Sequence, residues 1–208
     1  CFYMAFDGIT IAAMVKELHL NLDGGRFNKI AQPEADELLI TGKGANGQCR
    51  LLLSASASLP LIYFTSKNKP SPMTAPNFCM LLRKHIGSAR VSDIRQPGME
   101  RVVMFELEHL NELGDPCKKV LIMELMGKHS NIIFCDDKGM ILDSIKHVSS
   151  HMSSVREVLP GREYFIPKTQ DKLDPLTVSE EEFYDVVCRK PCNCLLYTSP
   201  SPRDRTRS

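Results

Sequence analysis

The sequence lacks a long apolar run, which argues against a protein that crosses a membrane as a helix. No stretch approaches 18 consecutive apolar residues, so we predict no transmembrane helix and no membrane partner. The N-terminus has no basic region followed by an apolar block, so no secretory signal is predicted either. Residues 1–3 precede Met4, the first plausible start, and are interpreted as leader or upstream translation.

Two widespread catalytic signatures are also missing. The sequence contains neither a Gly-x-Ser-x-Gly motif, which positions the nucleophile of many hydrolases, nor a phosphate-binding P-loop. Neither of these two chemistries is therefore expected. We expect it to need no cofactor.

Cysteine pairs with the spacing of disulfide frameworks are missing as well. Four of the eight cysteines stand singly inside apolar runs: Cys49, Cys79, Cys117 and Cys135. This usage is typical of a reducing compartment, where each thiol acts as a small buried hydrophobe, and we therefore predict a cytoplasmic protein. Three further cysteines cluster near the end of the chain: Cys188, Cys192 and Cys194. No second pair of ligands follows them, so we predict no metal site there.

The charge is small overall but unevenly distributed. The formal net charge is +1, yet residues 1–101 hold 12 Lys/Arg against 8 Asp/Glu, and residues 102–188 hold 9 against 16. A basic face on a near-neutral protein permits contact with nucleic acid, although a solvated surface is the simpler explanation of the charge alone. The basic side chains of the first half include Arg83, Lys84, Arg90, Arg95 and Arg101.

The first half of the chain predicts two helices with strands between them. Asp7 is placed to cap a first helix that Gly24-Gly25 ends, and its apolar residues keep helical spacing. A second helix is predicted at 77–86 and offers Arg83 and Lys84 outward. Strands bounded by Gly, Pro and Asn are predicted at 26–31, 37–41, 49–54 and 61–65.

The stretch 96–137 predicts an antiparallel meander. A Pro97-Gly98 turn leads through Glu100-Arg101 into an apolar run that alternates with charged residues at 105–108. A corner is predicted at 127–131. Further strands are predicted at 119–125, 130–135 and 140–147.

Three separate motifs carry a resemblance to a known family. They read MAFDG at 4–8, MLLRKH at 80–85 and ELMGKHSNII at 124–133. Together they resemble the NFACT-N domain, the N-terminal domain of the RqcH family of ribosome quality-control factors, whose bacterial members are often labelled fibronectin-binding protein A. The resemblance extends over roughly residues 4–174 without an obvious gap.

The resemblance implies an α+β fold in which antiparallel sheets carry flanking helices, similar to the N-terminal domain of formamidopyrimidine-DNA glycosylases. It implies an NFACT-N domain at 4–174 and, at 175–188, the truncated start of a helical module. Ser179 and Glu182 in that module have the spacing of a capping box. Residues 189–208 resemble the translation of a sequencing adapter and are predicted to be a non-native tail.

The resemblance also implies partners. The family binds the large ribosomal subunit when it carries a stalled nascent chain attached to tRNA, and it recruits charged tRNA, alanyl-tRNA in bacteria. A C-terminal tail is then added without a template. Because the ribosome performs the peptidyl transfer, the implied role of this chain is to bind and position RNA.

Glu100 and Arg101 are the first candidates for that role. A guanidinium presents a planar fork of donors to phosphates or guanine, and a carboxylate accepts from a base amino group, although two ordinary surface charges are the simpler alternative. The resemblance implies that an Asp-Arg pair here, and the Asp of the opening motif, engage tRNA. The matching residues are Glu100, Arg101 and Asp7. Glu100 departs by one methylene, which leaves the tRNA preference open.

Three basic residues are further candidates for contacts with phosphates. Lys128 lies at the predicted strand corner, and Arg83 and Lys84 lie on the second helix. The neighbouring His129 has no carboxylate at ligand spacing and is predicted to be structural.

Two other functions deserve comparison. Glycosylases of the related fold use an N-terminal proline as nucleophile, whereas this chain would begin Ala5-Phe6-Asp7 after removal of Met4 and has no zinc finger, so no glycosylase activity is expected. The older family label suggests a surface adhesin that binds fibronectin. The missing secretory signal and the unpaired cysteines argue against adhesion as the primary role.

Overall fold

The described part of the molecule is built on one antiparallel sheet. The computed structural model describes residues 6–111, 114–167 and 174–189. Its strands are β1 Arg26–Ala31, β2 Glu37–Gly44, β3 Gly47–Ser54, β4 Leu61–Phe64, β5 Arg90–Arg95, β6 Val102–Leu110, β7 Pro116–Glu124, β8 Asn131–Asp136 and β9 Ile141–Ser144. They lie in the order β4-β3-β2-β1-β5-β6-β7-β8-β9. The helices are α1 Gly8–Leu22, α2 Asn77–Ile86 and α3 Glu180–Arg189.

This architecture confirms the predicted α+β class and corrects one part of the prediction. We expected more than one antiparallel sheet, but the described strands form a single nine-stranded sheet. The reason is that β1 and β5 pair in its middle, through Arg26 and Arg90. We call this pairing the seam, because it joins strands β1–β4 to strands β5–β9 through one paired residue on each side.

The two faces of the sheet carry separate hydrophobic clusters. Side chains along β6 alternate between them: Val103 and Phe105 belong to the first cluster, and Val102 and Met104 to the second. The first also contains residues of α1 and α2, whereas the second packs against the segment 148–166. Helices α1 and α2 therefore cover one face, and an irregular segment covers the other face at strands β6–β9.

Strand β5 was not predicted. Only Val91 and Ile94 are buried among its six residues, and a bulge between Val91 and Asp93 interrupts the pairing with β6. A bulge adds one residue and shifts the side-chain alternation, so the period-two signal of a strand is lost. By contrast, the predicted bounds of β1 and α2 agree with the structure.

Residues 42–47 have the Gly-x-Gly-x-x-Gly spacing of dinucleotide-binding loops. That motif binds a pyrophosphate only where a strand turns into a helix. Here the glycines lie on β2 and β3, two antiparallel strands in which Gly44 pairs with Gly47. The predicted hairpin is confirmed, and the motif has no dinucleotide-binding context.

No helix in the described ranges is long and apolar enough to cross a bilayer.

The predicted capping box is present at the start of α3. The Glu182 backbone N–H donates to Ser179 Oγ at 3.2 Å, and the Ser179 N–H donates to the Glu182 carboxylate at 3.1 Å. Residues 190–208, which include Cys192, Cys194 and most of the predicted non-native tail, lie outside the described residues.

The buried thiol of Cys135 makes stability depend on alkaline pH. Burial, assisted by nearby carboxylates, raises the pKa of Cys135 from 9.0 to about 12. The unfolded thiol ionises above pH 9 while the folded one stays neutral, so its contribution is complete below that pH. It is lost on going towards pH 12, at about 1.4 kcal/mol per pH unit. Urea unfolding in reducing buffer should show a shallower alkaline decline for Cys135→Ala.

The control for this prediction is Cys117→Ala, which removes a half-buried thiol near the start of β7. It is expected to keep the decline of the wild type. Because Cys135→Ala also leaves a small cavity, its stability is lower at every pH. The informative quantity is therefore the slope with pH, and equal slopes in wild type and Cys135→Ala would contradict the prediction.

Candidate nucleic-acid interface

Asp7 caps α1, as the sequence predicted. Its backbone is extended, and its Oδ1 accepts a hydrogen bond from the Thr10 N–H at 2.7 Å. The side chain thus satisfies one of the N–H groups that a helix leaves without intrahelical partners. The start of a helix also carries a partial positive charge, which favours an anion nearby.

The first residue of α1 touches the loop that precedes β6. A Cβ added to Gly8 would lie 2.4 Å from the carbonyl oxygen of Met99, closer than real atoms approach. Only glycine allows this contact. In the same loop, Gly98 has φ +55°, and the Glu100 N–H donates to the Pro97 carbonyl at 3.1 Å. The predicted Pro-Gly turn is therefore present and packed against the helix.

Gln96 joins the helix and the loop. Its Nε2 donates to the carbonyl of Gly8 and to the carbonyl of Glu100, each at 2.9 Å. One amide group thereby fixes the residue after Asp7 beside the residue before Arg101. Sequence reasoning missed Gln96, because a polar residue before Pro-Gly reads as an ordinary part of a turn.

Glu100 and Arg101 lie just before β6, not inside it, and both side chains are half-buried. The Leu125 N–H donates to the Arg101 carbonyl at 2.9 Å. This pair therefore connects the Pro97-Gly98 turn to β6, as the sequence predicted.

Lys128 lies on a 3-10 turn, Gly127–His129, that follows Leu125 closely. Gly127 has φ +59°, and the Met126 N–H donates to Ser130 Oγ at 2.9 Å, which closes the corner. The Lys128 side chain is exposed. Because Leu125 bonds to Arg101, this turn lies at the same end of the sheet as the α1 cap.

Four of the six predicted residues therefore occupy one end of the sheet: Asp7, Glu100, Arg101 and Lys128. The other two do not. Arg83 and Lys84 line a cleft that also includes Arg90, at the opposite end of β5 from Gln96. At about 3.4 Å per residue, the strand separates the two places by roughly 17 Å.

A buried ionic cluster lies close to the end of the sheet that carries Asp7, Glu100, Arg101 and Lys128. Glu124, which pairs with Val102 across β6 and β7, has a fully buried side chain. Arg156 Nη2 donates to its Oε2 at 2.5 Å, and the Tyr164 hydroxyl donates to its Oε1 at 2.9 Å. Burial, and then the charge of Glu124, raises the pKa of Tyr164 above its ordinary range. The cluster ties the segment 148–166 to the sheet.

Within the part of the chain that the structure describes, no group of three or more His, Cys, Asp or Glu residues is placed to bind a metal ion. His129 is exposed on its turn.

One antiparallel sheet, with helices on one face and a capped helix fixed to a Pro-Gly loop, defines an α+β domain. Comparison with known proteins identifies it further. The chain belongs to the family of NFACT N-terminal and middle domains, whose model matches residues 7–199. This confirms the resemblance inferred from the three sequence motifs.

Individual relatives support the assignment. The chain is 42% identical over 182 residues to "Rqc2 homolog RqcH" of Bacillus subtilis, covering 86% of this chain and 32% of that protein. It is 37% identical over 185 residues to the protein of the same name from Streptococcus suis, covering 88% and 34%. The chain thus spans about a third of the length of these curated relatives.

A solved structure shows the same fold. The N-terminal domain of the fibronectin-binding protein PavA from Streptococcus pneumoniae superposes with a TM-score of 0.86 at 33% identity, covering 93% of this chain and 75% of that one. The single large sheet with few helices is therefore a shared architecture.

Proposed function

We propose that this chain is part of a ribosome quality-control factor and that it binds tRNA through Asp7, Glu100, Arg101 and Lys128. The observation that carries the proposal is the double hydrogen bond of Gln96, which holds the α1 cap beside the Glu100-Arg101 loop. A cation, a carboxylate and a helix start in one place suit an RNA loop, whose splayed bases and phosphates need donors and acceptors together.

The names of the relatives support the wider role. Two relatives are called Rqc2 homologues, and a human protein 27% identical over 151 residues is called ribosome quality control complex subunit NEMF. The proposed partners are the large ribosomal subunit carrying a stalled peptidyl-tRNA, and charged tRNA, alanyl-tRNA in a bacterium. The proposed setting is the cytoplasm.

The proposed role is binding and positioning, without catalysis by this chain. In this role, the chain supports the template-free addition of a C-terminal alanine tail, and the ribosome forms the peptide bonds of that tail. A likeness in fold to the N-terminal domain of formamidopyrimidine-DNA glycosylases stays a prediction of the sequence resemblance, and no glycosylase activity is proposed with it.

The test is capture of tRNA by the 208-residue chain, followed by sequencing of the bound RNA. We expect one tRNA class to be enriched by the wild type, and Arg101→Ala to weaken its binding by about 1–3 kcal/mol. Arg162→Ala is the matched control, because Arg162 is an exposed arginine whose Nε lies 2.8 Å from Glu157. The control should bind like the wild type.

Two results would contradict the proposal. If neither the wild type nor Arg101→Ala captures tRNA, the tRNA site is not in this chain. If circular dichroism shows Arg101→Ala to be unfolded, Arg101 is a structural residue. Glu100→Asp belongs in the same experiment, because a change in the enriched class would assign tRNA preference to the length of that side chain.

A second candidate function is binding of fibronectin. Its support is the likeness to the N-terminal domain of PavA, which is named a fibronectin-binding protein. Immobilised fibronectin therefore serves as a parallel arm of the capture experiment. Saturable capture of the folded chain on fibronectin, with no RNA binding, would favour this candidate.

A further inference from the structure

A basic cleft of about 950 Å³ lies at the end of β5 remote from Gln96. It opens across the seam, with β1 and α2 on one side and the ends of β5, β6 and β7 on the other. Among its described lining residues Glu108 is the acidic one. The basic ones are Arg26, Lys29, Arg83, Lys84, Arg90 and Lys118.

Backbone oxygens hold two of these cations without neutralising them. Arg83 Nε donates to the Ile30 carbonyl at 2.7 Å, and Arg26 Nη1 donates to the Ser88 carbonyl at 3.4 Å. A carbonyl accepts a hydrogen bond but carries no net charge. These guanidinium groups are therefore oriented while their positive charge stays available to an anion.

The carboxylate of Glu108 is shared between two further cations. It lies 4.0 Å from Arg90 Nη1 and 3.6 Å from Lys118 Nζ, and the basic side chains of both pairs are more than half exposed. Exposed pairs at such distances contribute little, and water or an incoming anion competes with them readily. Among the described residues that line the cleft, the basic side chains therefore outnumber the one carboxylate, so this lining is positive.

The shape of the cleft adds to its charge. Concave walls of low dielectric constant concentrate the field of the charges that line them. His85 and His109 also line the cleft, with ring centroids 6.3 Å apart in an edge-to-face arrangement. Single-stranded nucleic acid binds where its bases can stack on aromatic rings and its phosphates can pair with neighbouring cations.

We propose that this cleft binds the phosphate backbone of RNA, as a contact separate from the one at Arg101. The choice of RNA rests on the proposed function, in which the chain binds tRNA on the ribosome, while the preference for phosphate rests on the charges. The cations come from β1, α2, β5 and β7, so they fit several phosphates along a strand better than one small anion. A protein bearing acidic side chains is the alternative occupant.

The test measures the salt dependence of RNA binding by fluorescence anisotropy. The probe is a labelled single-stranded RNA of about 20 nucleotides and mixed sequence, titrated with the 208-residue chain between about 50 and 200 mM KCl. The cleft variant combines Arg26→Gln, Lys29→Gln and Lys118→Gln. Each single-strand phosphate contact contributes about 0.7 to the slope of log K against log salt. The variant should therefore lower the slope by about 2 and the affinity about tenfold.

Two further variants separate a site from a general loss of charge or of folding. Lys16→Gln, Lys138→Gln and Arg162→Gln together remove the same charge from residues outside the cleft. This control should keep the wild-type slope. Glu108→Gln removes the acidic lining residue, and we expect it to raise the affinity roughly two- to fivefold. Misfolding cannot produce such a gain.

Three outcomes would overturn the proposal. Equal losses in the two triple variants would mean that only net charge matters. Weaker RNA binding by Glu108→Gln would mean that the carboxylate supports the ligand. Equal affinity for poly-glutamate and for RNA would assign the cleft to acidic proteins.

The proposal of RNA binding at the cleft and the proposal of tRNA binding at the Arg101 site can be contradicted independently of each other. If no tRNA class is enriched but the cleft variant still loses its affinity for the RNA probe, the proposed function fails and the cleft stands. If Arg101→Ala abolishes tRNA enrichment while the cleft variant binds like its control, the proposed function stands and the cleft is overturned.

Discussion

Replacing Glu124 by Ala is expected to lower the free energy of unfolding by about 3–5 kcal/mol. The carboxylate is fully buried and receives hydrogen bonds from Arg156 and Tyr164. The Arg156 side chain is only 11% exposed, so the substitution leaves a charge in the protein interior without its counterion. An uncompensated buried charge costs more than the ion pair itself contributes.

Urea unfolding followed by circular dichroism measures this effect. The matched control is Glu106→Ala, which breaks a 2.8 Å pair with Arg95 whose side chains are 32% and 49% exposed. We expect the control to cost less than about 1 kcal/mol. A double variant, Glu124→Ala with Arg156→Met, should recover most of the loss because it removes the stranded charge. A double variant as unstable as Glu124→Ala would show that packing, not charge, sets the cost.

The second large effect is expected for Gly8→Ala. Alanine is the better helix former by about 1 kcal/mol, so helix propensity alone predicts a more stable protein. The contact with Met99 predicts the reverse, because the added Cβ would lie 2.4 Å from a backbone oxygen. Relieving that overlap requires the loop or the helix to move, at a cost of about 1–3 kcal/mol. We therefore expect a net loss of stability.

The same movement should reach the proposed RNA site. Gln96 bonds to the carbonyl of Gly8 itself, so displacing Gly8 separates the Asp7 cap from the Glu100 loop. Weaker tRNA capture should accompany the lower melting temperature. Ile9→Ala, at a neighbouring position that is 45% exposed, is the control and should change neither. An increase in stability on Gly8→Ala would contradict the close contact.

Local patterns in the sequence predicted much of the fold. The apolar period, the turn residues and the caps were sufficient for α1, α2, β1 and the meander, because each depends on neighbours in the chain. Strand β5 was not predicted, because its bulge interrupts the period-two pattern. The single sheet also escaped prediction, because the seam joins segments far apart in sequence and no local period reports such a pairing.

The candidate sites divide in the same way. Asp7 was predictable as a cap, and the family resemblance implied a role for Arg101. Gln96 was not predictable, since both of its acceptors are backbone carbonyls that carry no sequence signal. Only part of the cleft could be predicted from the sequence. Arg83 and Lys84 are adjacent in the chain, whereas Arg26 and Lys118 come close to them only in the folded sheet.

The order of the strands has a consequence for how the molecule assembles. Seven of the eight pairings join strands that are consecutive in the chain, and the seam is the exception. Closing a short loop costs little entropy, so each hairpin can form soon after its second strand is available. During synthesis the first four strands can pair before β5 leaves the ribosome. We therefore expect the docking of the two meanders along β1 and β5 to be a late, long-range step of folding, and this docking brings together the two sides of the basic cleft.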